Sequence, residues 1–306
     1  MSNKQVSSLF LVLLLVAGAS ASQAATRKAT QPRATGRGVI SRDPYLGAIV
    51  VDAGTGKVLF EDQADAKGYP ASILKLMDLL IILEKVDQKQ LSLRDPVPVS
   101  VKASQASPSK VWLDPRETFT IEEMLYALVV QSANDAAVAL AEKLGGTTDG
   151  FLELMNKRAR ELGMTSTVFH SVNGLPPARG QPHDLTTARD LVLLCRELIL
   201  KHPEVLRYTS TRERTFRPNA GKKTVIMRTH NHLLGHLEGC DGLKTGYIDQ
   251  SGYSIAVTAS RSGRRVIVIV LDSVDSHTRD AKAAELVAKG FAALPAGRFT
   301  TTEPRR

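Results

Sequence analysis

The stretch "YPASILKLMD", residues 69–78, sets a serine and a lysine three positions apart in a run that is otherwise almost wholly apolar. Pro70 is tolerated at the edge of a helix and not inside one, so the spacing predicts a helix beginning near Ser72. Positions three apart share a helical face, which lets Ser72 and Lys75 project toward one point. A lysine held beside Ile73, Leu74, Leu76 and Met77 must find acceptors or give up its proton. Burial lowers its pKa from the ordinary value of about 10.4, and a second cation nearby would lower it further. A neutral amine next to a hydroxyl is a general base beside a nucleophile. The pattern alone is weak, because Ser107-Pro108-Ser109-Lys110 repeats it with an internal proline that argues against a helix. The plain alternative at Ser72 and Lys75 is a helix start with a snorkelling lysine.

Upstream of this stretch, "LGAIVVDAGTGKVLFED" (46–62) reads as two β-rich runs joined at Ala53-Gly54-Thr55-Gly56, a hairpin. It is no phosphate loop, since Val51 stands in place of the first glycine and Val58 in place of the Ser/Thr. Downstream the period is helical. Thr120 and Glu123 form a capping box ahead of the stripe Met124, Leu125, Leu128 and Val129. The runs 134–146 and 149–163 follow as helices closed by glycines, and 186–203 as one stopped at Pro203. The period then changes: 252–260 and 265–273 read as an antiparallel strand pair, followed by a last helix through 279–291. A first hairpin, a helical middle and closing strands indicate an α+β fold whose sheet unites both chain ends around inserted helices. From residue 43 to 294 there is no repeat or linker, so one domain is expected.

Two further motifs bear on the chemistry. Ser132-Ala133-Asn134 breaks the helical period at the joint of two helices and exposes a hydroxyl and an amide at a loop tip, a pair suited to shuttling a proton and binding a substrate amide. Its plain alternative is a helix cap, and Ser171-Val172-Asn173 repeats the pattern. Lys244-Thr245-Gly246 is expected just before a sheet strand, with a glycine that allows close backbone approach and a lysine that supplies the second cation; alternatively it is an ordinary turn. His230, His232 and His236 have a spacing that could hold zinc, but no glutamate sits beside a helical histidine pair, so surface and loop roles are expected and no metal.

Ser-x-x-Lys, Ser-x-Asn and Lys-Thr-Gly in this order resemble the signature set of the penicillin-recognising serine enzymes. The likeness extends to "GYPASILKLM" (68–77), "MLYALVVQSANDAAVALAEKLGG" (124–146), "MNKRARELGMTSTVF" (155–169), "NGLP" (173–176), "TTARDLVLL" (186–194) and "DGLKTGY" (241–247). These look like the low-molecular-mass D-alanyl-D-alanine carboxypeptidases, serine peptidase family S11. The resemblance implies a penicillin-binding-protein/serine β-lactamase-like fold, an antiparallel sheet flanked by helices with an inserted helical subdomain. It implies Ser72 as acylated nucleophile, Lys75 as its base, and Ser132 and Asn134 as proton-relay and substrate-binding pair. Lys244 and Thr245, beside Gly246, would bind the substrate's terminal carboxylate, and the backbone N–H groups of Ser72 and Tyr247 would form the oxyanion hole. Arg279 resembles an arginine near the family's carboxylate site; alternatively it is a surface charge at a helix start. The implied reaction removes the terminal D-alanine of peptidoglycan stem peptides without a cofactor, with β-lactams as covalent inhibitors. Members often carry Thr where Asp78 stands. Many have a second, β-rich domain and an anchoring helix, neither of which is expected here, a layout closer to relatives that act as endopeptidases on cross-links. A class A β-lactamase would need a glutamate that is missing between Leu162 and Thr187. A non-catalytic envelope-binding protein could keep the fold but would not need all the motif residues.

The 306 residues carry 43% hydrophobic content and a formal charge of +9, much of it in flanks 25–42 and 295–306. These flanks are polar and rich in Arg, Thr, Gly and Pro, which indicates a basic disordered linker and tail able to contact an anionic envelope surface. Aromatics at 5% without basic interleaving argue against nucleic acid. Residues 1–24 read as an export signal: Lys4, the apolar run "LFLVLLLVAGAS" (9–20), and small residues suited to cleavage. A periplasmic or other extracytoplasmic location is expected. Cys195 and Cys240 are too few for a disulfide framework, though an exported pair could bridge.

Overall fold

The run Gly47–Asp52 forms strand β1, whose side chains part by alternation: Ile49 and Val51 enter a large hydrophobic core, Ala48 and Val50 a smaller one. A strand covered on both faces must sort its residues this way. The computed structural model describes residues 40, 42–218 and 221–295. The signal segment, nearly all of the basic linker, and the tail beyond 295 lie outside the described residues.

After the turn at 53–57 the chain returns as β2 (Val58–Asp62), giving the expected hairpin. A 3-10 turn, Ala71–Leu74, leads into α1 (Lys75–Asp87). The helical insertion follows with β3 (Pro96–Pro98), α2 (Val101–Gln105), β4 (Thr118–Thr120), α3 (Ile121–Val130), α4 (Asn134–Gly145), α5 (Thr148–Glu161), α6 (Ala188–Lys201) and α7 (Val205–Thr209). A small ribbon of β5 (Glu213–Phe216) and β6 (Val225–Arg228) precedes the closing strands β7 (Cys240–Ile248), β8 (Gly252–Arg261) and β9 (Arg264–Ser273), and α8 (Ser276–Ala293) ends the fold.

The main sheet is antiparallel in the order β2-β1-β9-β8-β7. Its two chain ends meet where β1 pairs with β9, Gly47 opposite Leu271 and Asp52 opposite Val266. Val266, Val268 and Val270 pack with Ala283, Leu286, Val287 and Phe291 of α8. Ile267, Ile269 and Leu271 point the other way, into the core that includes α1, α3, α4, α5 and α6. The architecture is the expected α+β one, with helices inserted between hairpin and closing strands.

Local signals act as read. Thr120 Oγ1 accepts from the Glu123 N–H at 3.2 Å while Glu123 accepts from the Thr120 N–H at 2.9 Å, so α3 starts on a closed capping box. Helical winding begins at Ala71, beside Ser72 as expected, as a 3-10 turn that becomes α-helix at Lys75. Lys244-Thr245-Gly246 lies inside β7 rather than ahead of a strand, since the β conformation already begins at Cys240. Cys195 and Cys240 are both free thiols. Among the described residues no helix is long and apolar enough to cross a membrane.

Candidate active site

Ser72 sits half-buried in the 3-10 turn. The turn is forced: Ala71 has φ +45°, a left-handed conformation unusual for a residue with a Cβ. Two glycines let the chain close around it. A Cβ on Gly246 would stand 2.7 Å from the Pro70 carbonyl oxygen, and one on Gly174 would stand 2.1 Å from the Ala71 carbonyl oxygen and 2.9 Å from the Ser72 nitrogen. Gly174 also has φ +78°. Gly174→Ala is therefore expected to cost about 1–3 kcal/mol in stability and to slow penicillin acylation at least about tenfold, because the strain falls on the turn that holds Ser72. Thermal melts and acylation time courses on the purified variant check both effects.

Lys75, the first residue of α1, is 1% exposed. Its Nζ lies 2.7 Å from Ser72 Oγ, 2.9 Å from Asn134 Oδ1 and 2.8 Å from the Asn173 carbonyl oxygen. The last two partners are acceptors and nothing else. A neutral amine has two N–H bonds, which these acceptors occupy, so its lone pair is left facing the Ser72 hydroxyl. Burial pulls the Lys75 pKa down to about 7, opposed by the carboxylates of Asp78, Asp184 and Asp135. The second cation expected near Lys75 is present. Lys244, 3% exposed, is itself held well below the ordinary lysine value, first by burial and then by the charges of Lys75 and Arg279. The two amines repel one another.

The groups around this pair come from three further places. Ser132, with φ +58° and 4% exposure, is held between α3 and α4, and Asn134 opens α4 with its N–H on the Ser109 carbonyl at 2.7 Å. Asp135 next to it accepts from the Val111 and Leu113 N–H groups, which fixes the segment that follows Ser109. Edge strand β7 contributes Thr245, Gly246 and Tyr247, the last packed against Tyr253 with tilted rings whose centroids are 4.3 Å apart. Lys244 lies behind them, its Nζ donating to the Thr245 carbonyl at 2.9 Å. Arg279 of α8 is buried and donates through Nε to Asp280 at 2.8 Å, while Nη2 has no aligned hydrogen-bond partner among the described residues. Ser72, Ser132, Asn134, Thr245, Gly246, Tyr247 and Arg279 all line one cleft of about 340 Å³, with Lys75 beneath Ser72.

Three contributors escaped sequence reading. The Asn173 carbonyl was covered by a motif that looked like a chance repeat, yet its loop is tied down by Asp184, which accepts from the Ser171 hydroxyl at 2.6 Å and from the His170 and Ser171 N–H groups. Pro108 and Ser109, from the second Ser-x-x-Lys, form part of the cleft wall. His230 and His232 keep the expected exposed loop positions and also line the cleft. His230 is pushed below the usual histidine pKa by crowding and by Lys244, His232, Arg279 and Lys75, although water at its exposed ring screens these charges.

A lysine amine on a serine hydroxyl, an asparagine amide on that amine, and a Lys-Thr-Gly edge strand opposite them set the terms for comparison. Residues 46–275 match the family model of D-alanyl-D-alanine carboxypeptidases. The chain belongs to this family. It is 32% identical over 244 residues to the D-alanyl-D-alanine carboxypeptidase DacF of Bacillus subtilis, covering 80% of this chain and 61% of that one. DacB2 of Mycobacterium tuberculosis, of the same description, is 30% identical over 250 residues, covering 81% of this chain and 82% of its own. Penicillin-binding protein D2 of Listeria monocytogenes, in its ampicillin-bound form, superposes with a TM-score of 0.72 at 35% identity, covering 80% of this chain and 96% of that one. The chain thus spans about three-fifths of DacF and most of the other two.

Proposed function

We propose that this family member is a serine-type D-alanyl-D-alanine carboxypeptidase that works through an acyl-serine intermediate, with peptidoglycan stem peptides as substrate. The observation that carries the reading is the 2.7 Å contact between Lys75 Nζ and Ser72 Oγ, in which two fixed acceptors leave the amine's lone pair to the hydroxyl. In the proposed reaction the Ser72 proton moves to Lys75 as Oγ bonds to the carbonyl carbon between two D-alanines. The C–N bond then breaks and the leaving amine takes a proton relayed by Lys75 and Ser132. Water, deprotonated by the same base, releases the acyl group. Asn134 would hold the substrate amide, the Ser72 and Tyr247 N–H groups the oxyanion, and Thr245 and Arg279 the terminal carboxylate. Lys244, which burial and its cationic neighbours push toward losing its proton, would be favoured in its charged form when that carboxylate arrives.

The reading includes covalent inhibition by β-lactams at Ser72, action outside the cytoplasm, and contact between the basic flanks and an anionic envelope surface. Acylation should rise with pH through about 7, since protonated Lys75 has no lone pair to offer and loses its proton over that range. Incubating the purified protein with a soluble pentapeptide and with intact sacculi tests the substrate. Free D-alanine from the pentapeptide is the expected product. Release of uncrosslinked stems from sacculi with no trimming of pentapeptide would instead make it a D,D-endopeptidase, and no product with either would overturn the reading.

A further inference from the structure

Asp78 is 1% exposed, lies one turn beyond Lys75 in α1, and neither of its carboxylate oxygens has a hydrogen-bond partner among the described residues. An ionised carboxylate in such a place costs several kcal/mol unless a charge compensates it. On the same helix face three positions away, the group able to do so is the Lys75 amine, with Cβ atoms about 5–6 Å apart by helix geometry. No direct hydrogen bond joins the two, because all three contacts of Lys75 Nζ go to Ser72, Asn134 and Asn173. The other carboxylates near Lys75 have partners of their own. Asp135 is engaged by the Val111, Leu113 and Ala136 N–H groups and Asp184 by His170 and Ser171. Lys244 and His230 each feel the charges of Lys75 and Arg279.

Resting on the proposed acyl transfer, we infer that Asp78 is a positioning residue that acts by charge alone, serving as the built-in counter-ion of the ammonium that Lys75 becomes when it takes the Ser72 proton. Asp78 exchanges nothing with the substrate. The proton still runs from Ser72 Oγ to Lys75 Nζ as the Oγ–C bond forms, and from there to the leaving amine. The carboxylate supplies the base with proton affinity that burial would otherwise remove. Burial raises the Asp78 carboxyl well above the usual carboxylate range, and the Lys75 charge draws it back down.

The test is the pH dependence of penicillin acylation in the wild type, Asp78→Asn and Asp78→Thr. Without its counter-ion Lys75 sheds its proton more easily, so the acid limb should move to lower pH by about one unit or more, and the plateau rate should fall because the base is weaker. Both variants leave Lys75 able to shed its proton rather than stand as an unpaired buried charge, so they should stay folded, with melting temperatures read alongside the rates. An acid limb that stays in place or moves upward would overturn the inference. Failure of both variants to fold would also overturn it, because Asp78 would then be a structural group. If the wild type itself is not acylated, it is the proposed function that fails.

Discussion

Ser72→Ala should end covalent labelling by penicillin and reduce D-alanine release by about 10⁴-fold or more, leaving the fold intact. The mutation removes one oxygen from a half-buried side chain and leaves the backbone N–H groups of the turn in place. Lys75 keeps its contacts to Asn134 and the Asn173 carbonyl, so the amine remains held by two of its three partners. Only the attacking atom is missing. Mass spectrometry after incubation with penicillin gives the first readout, with no mass gain expected in the variant and one acyl adduct in the wild type. Peptide release gives the second. Undiminished D-alanine release from well-folded Ser72→Ala protein would remove Ser72 from the role of nucleophile and with it the acyl-enzyme route.

How much of this arrangement could be seen in the sequence depends on the range of the forces that set each part. The hairpin at 46–62, the capping box at Thr120 and the paired strands before α8 follow from neighbours within a few positions, and they were legible. The alternation that sorts Ala48 and Val50 from Ile49 and Val51 was present too, but which face meets α8 is a tertiary outcome. Ser72, Lys75, Ser132 and Asn134 could be named from side-chain chemistry, and they do share one site. The Asn173 carbonyl could not, because a backbone oxygen has no residue signature and lies 98 positions from Lys75. Nor could the burial of Arg279, which is set by packing α8 against the sheet and turns an apparent surface charge into a wall of the cleft. The 3-10 form of the first turn and the positive φ of Ala71 at its head are not announced by composition.

Lys75→Arg should fail nearly as completely as loss of the serine, with acylation reduced by about 10²–10⁴-fold at every pH. Arginine preserves the positive charge and the ability to donate to Asn134 and Asn173, so a purely electrostatic or binding role for Lys75 would survive the change. A base would not, because guanidinium does not give up its proton in a protein and has no lone pair to aim at Ser72. The added bulk at a position 1% exposed is expected to cost about 1–3 kcal/mol, which could be mistaken for the cause of inactivity. Lys75→Met separates the two explanations. Methionine is unbranched, of similar length and neutral, and it removes the burden of desolvating an amine that burial already drives to about 7. That variant should lose stability, because Asp78 and the Asn134 and Asn173 oxygens lose their partner, yet stay folded and remain as inactive as the arginine one. Its residual rate should also lose the rise with pH that a titrating amine imparts. Near-normal acylation in either variant would place the base elsewhere in the cleft, with the Ser132 hydroxyl the next group to examine.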